Sequence, residues 1–233
     1  MARYVLGDIH GNFGALKQVF ERASFDYEND FLIIIGDVVD GYSCSYEVVE
    51  ELLKVKNYVF IIGNHDVWFM DHMANGWSES IWTTQGGRNT KKSYEDKGYY
   101  YGKFPQSHKD FFNNGVFYYE LDEMMFVHGG FDYPNHPKDC TSQLVTWDRS
   151  LIERFKNDLK VREYFKIFVG HTTTENEGAE PVSYDSGGGF AELIQVDCGA
   201  GWKGRLCLYD IDTDKYFLSD YAQVLNPSAK PRG

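Results

Sequence analysis

Six residues of this chain could ligate metal ions, and each stands where an apolar run breaks into a polar loop bearing glycine. The first two are Asp8 and His10, in Tyr4-Val5-Leu6-Gly7-Asp8-Ile9-His10-Gly11. Residues i and i+2 of an extended segment share a face, so a carboxylate and an imidazole at this spacing can grip one ion through oxygen and nitrogen. Taken alone, the pair reads as a turn-forming Asp and a surface His, because Asp commonly starts turns. The pattern recurs, however. Other apolar runs end in Gly36-Asp37-Val38-Val39-Asp40-Gly41, in Gly63-Asn64-His65-Asp66, in His128-Gly129-Gly130 and in Gly170-His171-Thr172. The set Asp8, His10, Asp37, Asn64, His128 and His171 suits a pair of divalent ions sharing a carboxylate. Mixed nitrogen and oxygen donors favour Mn, Fe or Zn over Ca, with Mn the first expectation, and the lack of thiolates argues against a purely structural zinc. Two ions about 3.5–4 Å apart are the usual arrangement for phosphoester hydrolysis.

The elements that must position these residues follow from periodicity. Short or continuous apolar runs predict buried strands over 3–6, 31–35 and 58–62, with helical spacing over 12–23 and 46–54 between them. Strand, loop, helix, repeated, indicates an α/β architecture with parallel strands. Ligands bind beyond the carboxyl ends of such strands, so the three loops should converge. Residues 67–114 break the rhythm. They hold Trp68, Trp77, Trp82 and the run Tyr99-Tyr100-Tyr101, and read as short helices and loops forming a cap whose aromatics mostly fill core. Beyond it, a hairpin is expected over 115–127, turned at Asp122-Glu123. A helix should span 143–155 and a strand 166–169. A Gly-rich loop should cover 175–189, with closing strands over 191–196, 204–211 and 215–219. These readings predict one domain over 1–225 and a disordered tail over 226–233.

Composition narrows the function. The chain has 233 residues, 42% apolar and 25% charged, as expected for a soluble globular protein. A net charge of -12 argues against a nucleic-acid groove, which needs clustered Lys and Arg. Bound cations can still reverse the field locally and admit a small phosphate ester. Cys44, Cys140, Cys198 and Cys207 form no C-x-x-C pair and read as small packing residues. With no apolar leader and no membrane-length run, a reduced cytoplasmic protein is expected. Nothing in the sequence indicates an oligomeric state.

Together, Gly7-Asp8-Ile9-His10-Gly11, Gly36-Asp37-Val38-Val39-Asp40, Gly63-Asn64-His65-Asp66, His128-Gly129-Gly130 and Gly170-His171 resemble the five motifs of the calcineurin-like metallophosphoesterases. The nearest branch resembles bacterial and phage phosphoprotein phosphatases of the lambda type and their diadenosine tetraphosphate-cleaving relatives. Trp82-Thr83-Thr84-Gln85-Gly86-Gly87 with Thr90, Ser93 and Tyr94 resembles that branch's W-x-x-N-G-G-x-x-T-x-x-S-Y segment, with Gln85 for Asn. Gln143, Trp147 and Arg149 resemble its Q…W-x-R segment. Val196-Asp197-Cys198-Gly199-Ala200 and Gly204-Arg205-Leu206 resemble its closing strands.

The resemblance implies a sandwich of two mixed β-sheets flanked by helices, with a small helical cap. It implies that Asp8 and His10 bind a first metal, that Asp37 bridges, and that Asn64, His128 and His171 bind a second. Two ions lower the pKa of a shared water enough to supply hydroxide near neutral pH, and that hydroxide would attack phosphorus in line. By resemblance His65 is the general acid for the leaving alkoxide and Asp40 its orienting carboxylate; a helix N-cap is the ordinary reading of Asp40. Arg149 would grip the phosphoryl oxygens. The chain departs from the family's protein phosphatases at Gly41 and Ile62, where they carry Arg. Arg88, in the cap, reads as a solvated surface residue. The expected function is a dinuclear metal-dependent phosphoesterase resembling Ser/Thr protein phosphatases, acting on a phosphoprotein or a nucleotide. The rivals are a hydrolase of diadenosine polyphosphates or other nucleotides, a phosphodiesterase, and a non-catalytic metal-binding scaffold.

Overall fold

The computed structural model describes residues 1–228. The chain opens with β1 (Arg3–Leu6), α1 (Phe13–Ala23), β2 (Phe31–Ile34), α2 (Ser45–Leu52) and β3 (Asn57–Phe60). Asn12 caps α1 by accepting from the Ala15 amide, and Leu16, Val19 and Phe20 make its buried face. The cap segment holds α3 (Asn64–Asn75), α4 (Ser80–Trp82), a π turn at Thr83–Gly87, α5 (Arg88–Glu95) and α6 (Gln106–Asn113). A hairpin follows, β4 (Tyr118–Leu121) and β5 (Met124–Val127). Its turn residues Asp122 and Glu123 both have positive φ, as a tight two-residue hairpin turn requires. Then come α7 (Ser142–Trp147), α8 (Ser150–Lys156), β6 (Lys166–Val169), β7 (Val182–Asp185), β8 (Glu192–Gln195), β9 (Cys207–Asp210), β10 (Tyr216–Leu218) and α9 (Ala222–Leu225).

The strands form two five-stranded sheets, ordered β10-β9-β1-β2-β3 and β4-β5-β6-β8-β7. Both are mixed. The pairs β1–β2, β2–β3, β5–β6 and β6–β8 are parallel, whereas β1–β9, β9–β10, β4–β5 and β7–β8 are antiparallel. Alternation along each strand feeds two different cores. Val5, Ile33, Ile35, Phe126, Phe168 and Ile194 meet in the layer between the sheets. Their neighbours Leu6, Leu32 and Ile34 pack outward with the α1 and α2 residues Leu16, Val19, Val48 and Val49. On the second sheet Met125, Val127, Ile167 and Val169 pack against Val145, Leu151, Ile152 and Phe155 of α7 and α8. Burial on both faces explains why the parallel strands read as unbroken apolar runs.

Two elements differ from expectation. The helix expected over 143–155 is broken, because Asp148 is extended between α7 and α8. Its carboxylate accepts from the amides of Ser150 and Leu151, each at 3.1 Å, and so competes with helix continuation. The loop expected over 175–189 contains β7, whose alternating Val182-Ser183-Tyr184-Asp185 forms an edge strand beside β8. Of the expected tail, Asn226 is held by a hydrogen bond from its Nδ2 to Asn12 Oδ1, and residues 229–233 lie outside those described. No helix among the described residues is long and apolar enough to cross a membrane.

Candidate metal centre

The loops after β1, β2, β3, β5 and β6 are stitched together by main-chain hydrogen bonds. The amides of Ile9 and His10 both donate to the Asp37 carbonyl, and that of Gly11 donates to the Val38 carbonyl. Asp66 ties the second loop to the third. Its buried carboxylate accepts from the amides of Asp37 at 2.7 Å, Gly63 at 2.9 Å and Val38 at 3.0 Å. The Gly170 amide donates to the His128 carbonyl, and the His171 amide donates to Asp8 Oδ2 at 3.0 Å. His10, Asp37, Asp40 and His171 all sit in the left-handed region, with φ of 51°, 48°, 67° and 60°. Such conformations cost energy in residues with a Cβ and tend to gather at functional sites.

At the centre lies the Asp37 carboxylate. Its Oδ2 stands 3.5 Å from His10 Nε2 on one side and 3.4 Å from His128 Nε2 on the other. Asn64 Oδ1 is 3.1 Å from His128 Nε2. Donor atoms of His10, Asp37 and His65 form one close group and those of Asp37, His128 and His171 another, each with all atoms within 4.8 Å. The residues fit a metal in three further respects. His10 Nδ1 faces the Val39 carbonyl and His128 Nδ1 the Ile35 carbonyl, which fixes each ring and turns its Nε2 toward Asp37. Asp8 Oδ1 and His171 Nε2 are buried with no hydrogen-bond partner, although buried polar atoms are normally paired. Finally, Asp8 lies near Asp37 and Asp197, and Asp37 near Asp66, all four buried, a concentration of carboxylates that calls for cations.

Protonation in the absence of ions makes the same point. Burial pushes the Asp8 carboxyl well above the usual range, and Asp197 and Asp37 add to the rise. Burial, then Asp37, raise the Asp66 carboxyl to about 8. Burial opposes a charge on His128 and also on Asp37, yet the attraction between the two prevails. The imidazole is held up at about 10 and the carboxyl well below its ordinary value. A bound cation would serve the same balance of charge beside Asp37. Burial, then His128, pull His171 down to about 3, leaving it a neutral imidazole.

A cleft of about 390 Å³ opens over this cluster, lined by His10, Asp37, Asn64, His65, Arg149 and His171 among others. Asp8 and His128 lie beneath it, 1% and 0% exposed. Asp40 is fully buried behind His65, its Oδ2 2.8 Å from His65 Nδ1. The nine residues singled out in the sequence therefore gather at one site.

The sequence profile of the family described as "Calcineurin-like phosphoesterase" matches residues 1–199. The chain belongs to this family. Over 68 residues it is 38% identical to a symmetrical bis(5'-nucleosyl)-tetraphosphatase of Buchnera aphidicola (subsp. Acyrthosiphon pisum, strain Tuc7). That stretch is 29% of this chain and a quarter of the relative's length. Among solved structures, a metallophosphoesterase from Sphaerobacter thermophilus superposes with a TM-score of 0.61 at 17% identity, covering 97% of this chain and 92% of that one. A protein serine/threonine phosphatase from Saccharomyces cerevisiae superposes with a TM-score of 0.59 at 15% identity, covering 100% and 83%. At these identities the likeness is one of fold, a sandwich of two mixed sheets. Calcineurin-like phosphoesterases bind divalent metals, and this member has the donor groups to do so.

Some features of this calcineurin-like chain have little signature in residue type alone. Asp66 was visible only as the residue after His65, because its three partners are backbone amides. Asp197, which lines the cleft and raises Asp8, was visible only within the closing strands. Trp68 stands one helical turn after His65, a spacing that puts both on one face of α3. Its ring meets the imidazole edge to face at 4.9 Å and touches Trp147 at 5.4 Å, while Trp147 meets His171 at 5.6 Å. At the two departures from the family's protein phosphatases, Gly41 adopts φ 88° against His10, and Ile62 is packed in the core. Arg88 is exposed and does not line the cleft.

Proposed function

We propose that this chain is a dinuclear metal-dependent phosphoesterase. The observation that carries the reading is one buried carboxylate, Asp37, flanked by His10 and His128 at 3.5 and 3.4 Å. Asp8, His10 and Asp37 would hold the first ion, and Asp37, Asn64, His128 and His171 the second. The donor set favours Mn, with Fe or Zn as alternatives. Such ions supply a hydroxide nucleophile near neutral pH and neutralise charge on the phosphoryl group.

The chain's own residues do the rest. Arg149 reaches the cleft from the break between α7 and α8, and its planar fork can bind two phosphoryl oxygens. His65 gives its Nε2 proton to the leaving oxygen, while Asp40 accepts from Nδ1 and keeps Nε2 aimed into the cleft. Trp68 packs on the His65 ring and limits its rotation. Ser/Thr phosphoprotein is the first substrate class. A nucleotide or diadenosine polyphosphate is the second, favoured by Trp68, Trp147 and Trp202, which line the cleft and offer faces on which a base can stack.

The test is a panel on metal-depleted protein given back Mn, Fe, Zn or Mg. It holds p-nitrophenyl phosphate, bis-p-nitrophenyl phosphate, a phosphoserine peptide and diadenosine tetraphosphate. Metal-dependent turnover supports the enzyme, and the preferred substrate selects the class. Two bound ions without turnover would leave a metal-binding scaffold.

A further inference from the structure

Asp40 has more partners than an orienting carboxylate needs. Its Oδ2 accepts from His65 Nδ1 at 2.8 Å and from Trp82 Nε1 at 2.9 Å. Its Oδ1 accepts from Thr90 Oγ1 at 2.7 Å and from the same indole N–H at 3.0 Å. The Asp40 amide in turn donates to Thr90 Oγ1 at 2.8 Å, so one hydroxyl holds both the main chain and the side chain of Asp40. Trp82, Thr90 and Asp40 are all fully buried.

These two donors flank the π turn of the cap. Between them, Gly86 and Gly87 lie so close to their neighbours that no larger residue fits. A Cβ on Gly86 would come 2.1 Å from the Gly41 nitrogen, and one on Gly87 2.4 Å from the Trp82 ring. Gln85 of the same turn lines the cleft. The segment from Trp82 to Thr90 thus wraps the main chain at Asp40-Gly41 and aims two side-chain donors at one carboxylate.

A buried Trp needs an acceptor for its N–H, and the soft χ2 torsion of Asp needs donors on both oxygens to stay fixed. We propose that Trp82 and Thr90 are positioning residues of the proton-donating pair, holding the Asp40 carboxylate so that its Oδ2 keeps His65 Nδ1 and aims Nε2 at the leaving oxygen. This inference rests on the reading of His65 as the acid. It adds that the acid is assembled from two parts of the chain, with the cap supplying half of it.

The experiment compares Thr90→Val, Trp82→Phe and Thr90→Ser with the wild type on two monoesters. p-Nitrophenyl phosphate releases a leaving group that needs no proton, and a phosphoserine peptide releases one that does. Thr90→Val and Trp82→Phe should lower kcat on the peptide by about 10- to 100-fold. KM, metal content and turnover of p-nitrophenyl phosphate should stay within about 3-fold, and Thr90→Ser, which keeps the hydroxyl, should restore the peptide rate. A purely structural role would lower both substrates together. Parallel losses, or an unchanged peptide rate, would overturn the inference. If Trp82→Phe does not fold, the near-isosteric Thr90→Val with its Ser rescue decides. Absence of wild-type turnover on both monoesters, on bis-p-nitrophenyl phosphate and on diadenosine tetraphosphate would overturn the phosphoesterase reading itself, and this inference with it.

Discussion

His65 Nδ1 stands 2.8 Å from Asp40 Oδ2, and His65 also donates its main-chain amide to Asp37 Oδ1 at 2.9 Å. One residue thus joins the proposed proton donor to the proposed bridging ligand. The first prediction separates these roles. His65→Asn should lower kcat on poor leaving groups by about 10²- to 10⁴-fold while leaving metal content unchanged, because its main-chain contact survives. Activity on p-nitrophenyl phosphate should fall far less. Equal losses on both substrates, or loss of metal, would remove His65 from the acid role.

Asp66 is predicted to act on metal binding and stability, not on the chemical step. Its carboxylate gathers the amides of Asp37, Val38 and Gly63, which shape two of the loops that carry candidate ligands. Asp66→Asn keeps the volume but turns an NH₂ toward some of those donors. The expected cost is about 2–3 kcal/mol, with weaker metal affinity. Thermal melts and metal titrations would check this; an unchanged melting temperature would contradict it.

Restoring the family's arginine at position 41 should not add a phosphate clamp. Gly41 has φ 88°, and a Cβ there would lie 2.9 Å from His10 Cβ. Gly41→Arg should cost about 1–3 kcal/mol in backbone strain and disturb His10. KM for monoesters should therefore stay the same or rise, and metal occupancy should fall. A lower KM at full occupancy would show that the loop accommodates the side chain.

A fourth prediction concerns acid stability away from the cleft. Glu51 is buried between α1 and α2; burial opposes its charge, but Lys17, Lys54 and Tyr27 outweigh it and hold the carboxyl at about 2. A depressed carboxyl stabilises the fold above its unfolded value of about 4.5, and that stabilisation is lost as pH falls toward 2. Both lysines are half-exposed or more, so solvent screening reduces the contribution to about 1–2 kcal/mol. Glu51→Gln should flatten the stability profile between pH 4.5 and 2. A profile identical to the wild type would contradict the assignment.

The candidate ligands were legible because each follows an apolar run and sits beside glycine, a local pattern that needs no tertiary information. The sheets were legible because residues such as Ile33 and Ile34 feed two cores and leave no polar gap. What the sequence hid depended on distant backbone. The amides held by Asp66, the donors aimed at Asp40 from Trp82 and Thr90, and the left-handed turns at His10, Asp37, Asp40 and His171 have no local signature in residue type. Asp148 hid for a different reason: its side chain competes with the helix that the apolar spacing around it predicts. The strand β7 was masked by the three glycines after it, which read as loop and instead turn the chain back into β8.

The most direct measurement of the central claim is metal stoichiometry with paired activity. Metal-depleted wild-type protein and Asp37→Asn are each titrated with Mn while hydrolysis of p-nitrophenyl phosphate is followed. The account predicts two ions bound per wild-type chain, with turnover appearing as the second ion binds. It also predicts loss of both tight binding and turnover in Asp37→Asn, whose amide is a poor bridge. Full turnover at one ion per chain, or an Asp37→Asn variant that binds and hydrolyses like the wild type, would contradict a shared-carboxylate dinuclear site.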